Sequence, residues 1–224
     1  MITNRIFKIY RPHRLLKSMR SCSLMLFLVC SCFSYSQNTI TKEIKKKHIE
    51  TILINGNQIF NISILTSQTD AITITSTLDG EYQNEFQIVT KIKEDTLELS
   101  LEQSSLIDIP DDKRNAHKVI AATLHIEIPK HLNVEVLSDV GSVDASGSFN
   151  SISIELLQGH CLVKGFAKDA RINTIDGKIK VVTDNAKIIA SSNNGKVSID
   201  DFETSESVWY LKSINGDITV VKDE

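Results

Sequence analysis

The acidic and histidine side chains of this 224-residue chain could in principle bind a metal. His125 and Glu127 alternate with apolar residues in the segment LHIEI, and His131 follows after Pro and Lys. Alternation places His125 and Glu127 on the outward face of one predicted strand, and imidazole and carboxylate groups are ligands for transition metals. The spacing to His131 is irregular and no cysteine joins the set. Solvated polar positions opposite a buried face are therefore the favoured interpretation, and neither a metal nor another cofactor is predicted.

Paired carboxylates are the second source of chemistry. Asp111 and Asp112 are adjacent, as are Asp200 and Asp201, and Glu203 follows the second pair. Two neighbouring carboxyl groups can act as acid and base in the hydrolysis of a polysaccharide. The same residues are expected in solvated turns, and the chain has no Gly-x-Ser-x-Gly elbow and no phosphate-binding loop. No catalytic residue is predicted, and the chain is predicted not to be an enzyme.

Two aromatic residues and one cysteine are candidates for contact or reactivity. Trp209 and Tyr210 are adjacent on a predicted strand, so one of them must face outward. An exposed aromatic ring can stack on a sugar or on a partner protein, and these two residues form the predicted contact surface. The alternative is that they cover the end of the core. Cys161 occupies an inward strand position, where a thiol is predicted to be buried and inert.

A short sequence repeat must position these groups. It is marked by one glycine in each of five segments: Gly141, Gly159, Gly177, Gly195 and Gly216. The first four glycines are evenly spaced, and a short insertion delays the fifth. In at least one turn of each repeat a positive φ is expected, which explains the glycine. Each repeat is predicted to consist of two short strands and two turns.

The residues that follow each glycine predict which side chains face the core. Positions two and four places after the glycine are apolar in all five repeats, including Val197 and Ile199 in the fourth and Ile218 and Val220 in the fifth. The position between them is mostly polar. This alternation is typical of a strand with one buried face.

A repeat of this size cannot bury its apolar face alone, but stacked copies can. The chain is therefore predicted to be all-β and to form a single β-solenoid with about 18 residues per coil, each coil lying on the preceding one. Residues 37–224 are predicted to form this one domain, with irregular lead-in coils over residues 37–137 and the regular repeats over residues 138–221. The alternative is an antiparallel β-sandwich, because Asn-Gly and Asp-Gly turns also form hairpins.

The first 36 residues have the features of a secretory signal peptide. They contain six basic residues and no acidic residue, followed by the apolar run LMLFLV at 24–29 and a small-residue cleavage pattern that ends at Ser36. Met19 is an alternative start. A lipid anchor at Cys32 is not favoured, because the bulky Cys30 stands where a lipidation motif usually has a small residue.

The net charge of the chain argues against nucleic acid as a partner. The chain has 25 basic and 28 acidic residues, and without residues 1–36 its net charge is −9. An acidic domain is a poor partner for nucleic acid. No later segment is apolar enough to cross a membrane, so no integral span is predicted.

The segment HIEIPKHLNVEVLSDVGSVDASG, residues 125–147, together with the glycine repeats, resembles the putative-adhesin families of bacterial envelope proteins. These families include the auto-transporter adhesin head, or GIN domain, and the resemblance extends over about residues 40–221. It implies a β-solenoid in the cell envelope and no catalytic residues.

The resulting functional prediction is a non-enzymatic exported protein of the periplasm or cell surface that binds or presents an unidentified envelope protein or glycan. The alternative is a glycan-binding or polysaccharide-acting β-solenoid protein. A third hypothesis is a periplasmic scaffold that holds a membrane partner. The sequence is also compatible with self-association into a homo-oligomer.

Overall fold

The computed structural model describes residues 38–80, 85–104, 121–203 and 205–223. The predicted signal peptide (1–36), Met19, the lipidation candidate Cys32 and the Asp111-Asp112 pair lie outside the described residues. The described part is all-β: fifteen strands form one open mixed sheet, and no α-helix occurs among them. The strands are β1 (Asn38–Lys45), β2 (Thr51–Asn55), β3 (Ile59–Ser67), β4 (Ala71–Asp79), β5 (Phe86–Lys93), β6 (Thr96–Gln103), β7 (Ala121–Pro129), β8 (Asn133–Val140), β9 (Ser142–Gln158), β10 (Cys161–Asp176), β11 (Ile179–Thr183), β12 (Lys187–Ser192), β13 (Val197–Ile199), β14 (Val208–Ser213) and β15 (Ile218–Lys222).

The strands pair in two runs, which we call the first and second ladders. The first ladder has the order β1-β4-β7-β3-β9-β10-β11-β15-β13. The second has the order β5-β6-β2-β8-β9-β10-β14-β12. The long strands β9 and β10 belong to both, because their first halves pair in the first ladder and their second halves in the second. Only β1–β4, β4–β7 and β5–β6 are antiparallel among the described pairs.

The repeat units pair in parallel and in register. Cys161 lies opposite Val143 on one side and Ile179 on the other, so each neighbour is the equivalent residue of the adjoining repeat. These residues are buried, as are Ala145 and Val163. Inward side chains of both ladders contribute to one core cluster. Equivalent residues of neighbouring repeats therefore lie side by side in the ladder. The alternating pattern correctly predicted this part of the core.

The order of the last two repeats differs from the expected one. The fifth repeat, not the fourth, lies on the third: Ile179 of β11 pairs with Ile218 of β15, and β15 in turn pairs with Val197 of β13. The second ladder repeats this exchange, because β14 lies between β10 and β12. The prediction that each coil lies on the preceding one is wrong here, and Val197 and Ile199 are 41% and 42% exposed at the edge rather than buried.

Side-chain size gives a physical reason for the exchange. The inward residues of the fifth repeat include Trp209 and Leu211, where the fourth has Ile188 and Ala190. Placing the bulkier set between two neighbours removes more apolar surface from water. The smaller set is left at the edge. The additional residues before Val208 supply the chain length that lets the fifth repeat pass the fourth.

Two further expectations are corrected. The first two repeats are not pairs of short strands, because β9 and β10 continue for 17 and 16 residues through the predicted turn. The N-terminal strands are also not simply stacked in sequence order, because β2 lies between β6 and β8, and β3 between β7 and β9. Their buried residues nevertheless join the same core cluster as those of the repeats.

The five repeat glycines form one column at a corner of the repeats. A Cβ atom built on Gly159 would lie 1.9 Å from the carbonyl oxygen of Gly141, and one built on Gly177 would lie 1.7 Å from that of Gly159. Gly216 approaches the carbonyl of Gly177 in the same way, and Gly195 that of Gly216. Of the five, only Gly141 and Gly159 have a positive φ. All five positions therefore require glycine because the neighbouring backbone lies too close for a side chain. The expected positive φ explains the glycine at only two of them.

Hydroxyl side chains three residues before the glycine support this column. Thr174 donates a hydrogen bond to the carbonyl oxygen of Gly177 (2.9 Å), and Ser192 donates one to that of Gly216 (2.8 Å). Ser213 accepts a hydrogen bond from the amide of Gly216 (2.8 Å). These hydroxyls are buried or half-buried, so they satisfy backbone groups that would otherwise be costly to desolvate.

Candidate contact surface

Trp209, one of the two residues of the predicted contact surface, lies in the core and is not exposed for contact. Its side chain is fully buried, and in register it is flanked by Ala170 of β10 and Ile188 of β12. The small side chain of Ala170 leaves space for the indole. The indole Nε1 donates to the carbonyl oxygen of Ala167 and to Ser207 Oγ, both at 3.0 Å. A buried indole N–H needs such a partner, and here it has two.

Tyr210 points outward from the second ladder and is 48% exposed. Strand alternation forces this orientation once Trp209 is buried. In register, Tyr210 is flanked by Arg171 of β10 and by the exposed Ile189 of β12. The Arg171 Cζ atom lies 5.9 Å from the centroid of the tyrosine ring, at the outer limit of about 6 Å for a cation–π contact.

Apolar side chains continue this surface toward the corner of the repeats. Leu157, Ile175 and the half-exposed Ile214 line a shallow groove together with Asn173 and Lys212. Asn173 and Lys212 also line a second groove, with Arg171, Tyr210 and Ile189. Because the two grooves share these polar residues, they are continuous. We call the exposed surface formed by Leu157, Arg171, Ile175, Ile189, Tyr210 and Lys212 the Tyr210 face.

The Tyr210 face combines three kinds of contact. The phenol ring offers a flat apolar surface with a polar hydroxyl, and the aliphatic side chains extend that surface. Arg171 and Lys212 add cationic hydrogen-bond donors, and Asn173 adds an amide that both donates and accepts. A surface of this composition can bind a sugar ring or an extended peptide.

The proposed metal ligands of the sequence do not converge. His125 is exposed, and its Nδ1 atom lies 3.2 Å from Ser63 Oγ. His131 lies in the turn after β7 and has a φ of 63°. Among the described residues there is no group of three His, Cys, Asp or Glu side chains that could hold a metal ion.

Asp200 and Asp201, the second acidic pair, follow β13, at the end of the two ladders opposite to β1 and β5. Asp200 accepts a hydrogen bond from the backbone amide of Lys222 (3.0 Å), so this carboxylate ties the segment after β13 to β15. Asp200 and Glu203 line an open groove with Phe202, Ile188 and Ile199. Asp201 is exposed beside it. The structure thus gives Asp200 a structural contact and leaves Asp201 and Glu203 on the surface.

Cys161 lies in the core between the neighbouring repeats, as its position in the sequence indicates. Burial raises the pKa of the Cys161 thiol well above its ordinary value, and the charge of nearby Asp144 acts in the same direction. The reactive thiolate is therefore disfavoured. This cysteine belongs to the packing and not to a site.

One feature of the site and one of the glycine column were not predicted from the sequence. Arg171 was missed because its contact with Tyr210 depends on the exchanged order of the fourth and fifth repeats. The hydroxyl before the glycine could have been found, because Ser or Thr precedes the glycine by three residues in four of the five repeats: Ser138, Thr174, Ser192 and Ser213.

No protein-family model and no curated protein matches this chain. Among solved structures, it is similar to a putative cell adhesion protein from Clostridium sporogenes ATCC 15579, with a TM-score of 0.62 and 14% identity over 84% of this chain and 100% of that chain. A putative adhesin from Bacteroides fragilis NCTC 9343 has a TM-score of 0.35 and 14% identity, over 83% of this chain and 98% of that one. A putative lipid binding protein from Parabacteroides distasonis ATCC 8503 has a TM-score of 0.27 and 15% identity, over 82% and 97%.

At these identities a likeness extends to the fold alone, and among these three the Clostridium structure is the one with a TM-score that supports a shared fold. Within the residues that the structure describes, no helix has the length and apolar character needed to span a membrane.

Proposed function

We propose that this chain is a non-enzymatic, exported cell-envelope protein that binds an envelope protein or glycan through the Tyr210 face, in the manner of an adhesin. The observation that carries the proposal is the exposed Tyr210 ring beside Arg171, on the parallel part of the second ladder and next to a groove lined by apolar side chains. An exposed aromatic ring with a cationic neighbour can stack on a sugar ring or on a partner's side chain. The fold similarity to a putative cell adhesion protein is consistent with it.

The scaffold that we propose is a two-sided β-solenoid whose coils have the length of the sequence repeat. Parallel pairing of equivalent residues in successive repeats and the glycine column support this description over the antiparallel sandwich. A solenoid is a suitable scaffold for a binding face, because each outward row of side chains is held in register by its neighbours. Export depends on the predicted signal peptide, residues 1–36.

Substitution of Tyr210 tests the binding role. The full-length protein, the Tyr210→Ala variant and a control are incubated with immobilised fractions of envelope protein and envelope polysaccharide, and the bound amount is measured. The control is Phe60→Ala, because Phe60 is an aromatic residue with the same 48% exposure on the first ladder. We expect Tyr210→Ala to weaken binding by about 5- to 150-fold, the range of a stacking contact of about 1–3 kcal/mol. Equal binding by all three proteins would refute the proposal.

A polysaccharide-acting protein is the second candidate, and the groove between Asp200, Phe202 and Glu203 is the observation that favours it. Incubation with acidic and neutral polysaccharides, followed by measurement of new reducing ends or unsaturated products, separates the two functions. Turnover that Asp201→Asn or Glu203→Gln abolishes would establish an enzyme. Binding without turnover would favour the non-enzymatic function.

A further inference from the structure

The end of the two ladders at β12 and β13 is open. Among the described strands, each of these two pairs on one side only, β12 with β14 and β13 with β15. Val197 and Ile199 occupy core-facing positions of the repeat, yet both are exposed, and Ile188 beside them is half-buried. Backbone hydrogen-bonding groups and apolar side chains are thus available at the same place. We call this surface, including residues 197–203 together with Ser205 and Glu206, the acidic end.

The opposite end has the same two features. There, within the part of the chain that the structure describes, β1 pairs only with β4, and β5 pairs only with β6. Ile44 and Ile88 pack against the core, which identifies the core-facing positions on these strands. Ile40 and Ile92 have the same parity and are exposed. Between them Lys42 donates a hydrogen bond to Thr90, which joins β1 to β5. We call this surface, including residues 38–47 and β5, the basic end.

The two ends carry opposite charge. Residues 42–47 contain Lys42, Lys45, Lys46 and Lys47 against one carboxylate, Glu43. Residues 197–206 contain Asp200, Asp201, Glu203 and Glu206 and no basic residue. Lys187 and Lys196 precede this segment and reduce the excess of negative charge, but they do not reverse it. The ends of one molecule therefore complement each other in charge, whereas two identical ends would repel.

Strand direction is also compatible with stacking. β1 is antiparallel to β4, which is antiparallel to β7, so β1 runs in the same direction as β7 and as β13. β5 runs opposite to β6 and hence opposite to β12. A second copy with the same orientation would extend the first ladder by a parallel β13–β1 pair and the second ladder by an antiparallel β12–β5 pair. Both pairings are normal in sheets.

We propose that copies of this protein associate head to tail, the acidic end of one binding the basic end of the next. Such a heterologous contact uses two different surfaces, so it leaves one free end of each kind and continues into an open filament. The occupant of each exposed edge is thus a second copy of this chain. The inference is independent of the ligand of the Tyr210 face.

Sedimentation of the full-length protein over a range of concentrations tests the proposal. We expect a ladder of species that grows with concentration and shifts to smaller species when NaCl rises from about 50 mM to about 500 mM, because the paired charges are screened. The Tyr210→Ala variant should assemble as the unmodified protein does, which separates this proposal from the binding function. A single monomeric species at all concentrations would overturn the proposal.

Variants of the two ends distinguish head-to-tail contact from other association. Val197→Lys with Ile199→Lys blocks the acidic end, because it places like charge opposite the lysines of the next copy, and Ile40→Glu with Ile92→Glu blocks the basic end in the same way. All four positions are exposed, and an unchanged circular dichroism spectrum confirms folding. Each variant alone should be monomeric, and a mixture should stop at dimers, because each partner contributes one intact end. If the variant with the blocked basic end still forms dimers alone, the contact joins identical ends and the head-to-tail proposal is wrong.

Discussion

Gly159 has no space for a side chain, since its neighbour's carbonyl oxygen occupies the position of a Cβ atom and its φ is +131°. We expect Gly159→Ala to lower the free energy of unfolding by about 2–6 kcal/mol, because strained backbone and forced separation of two repeats each cost about 1–3 kcal/mol. Urea denaturation measures the loss.

Gly56→Ala is the matched control for this substitution. Its Cβ would meet side-chain atoms, Ile62 Cδ1 at 2.6 Å and Ser138 Cβ at 3.0 Å, whereas that of Gly159 meets backbone, and the φ of Gly56 is not positive. The control should lose clearly less stability than Gly159→Ala. Equal losses would mean that the glycine column is not what requires glycine at these corners.

Cys161 should be unreactive in the folded protein. Its thiol is buried, and burial together with Asp144 raises its pKa, so little thiolate forms at neutral pH and the reagent has no access. We predict no labelling by a bulky thiol reagent in native buffer and rapid labelling in urea. The measurement is the labelled fraction against time, read by mass spectrometry at Cys161. Fast labelling of the native protein would place this strand in a different register.

At the level of the strand, β14 stabilises the end of the repeats through Trp209. Trp209→Ala should cost about 3–5 kcal/mol, the usual range for a large buried aromatic side chain, whereas Tyr210→Ala should have a small effect on stability. Trp209 is the chain's one tryptophan, so its fluorescence reports this strand alone. We expect blue-shifted native emission that acrylamide quenches poorly. Emission typical of an exposed indole would contradict the burial of this strand between β10 and β12.

The strand order could be predicted from the sequence only in part. Alternation after each glycine correctly indicated strands and their inward residues from Val143 to Val181. It could not order the last two repeats, because Val197-x-Ile199 and Ile218-x-Val220 have the same spacing and nearly the same apolar character. Only the side chains of the accompanying strand, above all Trp209, distinguish them, and which repeat Trp209 joins depends on packing between distant residues.

For the whole molecule, the sequence correctly predicted an all-β chain, and alternation indicated that one of Trp209 and Tyr210 faces outward. It did not predict that β2 and β3 insert between later strands, because the N-terminal half has no fixed repeat from which to derive register. The Tyr210 face also depends on this long-range order. Its residues come from β9, β10, β12 and β14, and Arg171 lies beside Tyr210 because the fifth repeat lies between the third and the fourth.

The central claim, a binding face displayed by an exported protein, is tested most directly by locating the protein on intact cells. A tag at the C-terminus is probed with an antibody, and the cells are treated with protease, before and after permeabilisation. We predict that antibody and protease reach the protein on intact cells. Access only after permeabilisation, with a permeabilised control that shows the tag is present and intact, would contradict adhesion at the cell surface.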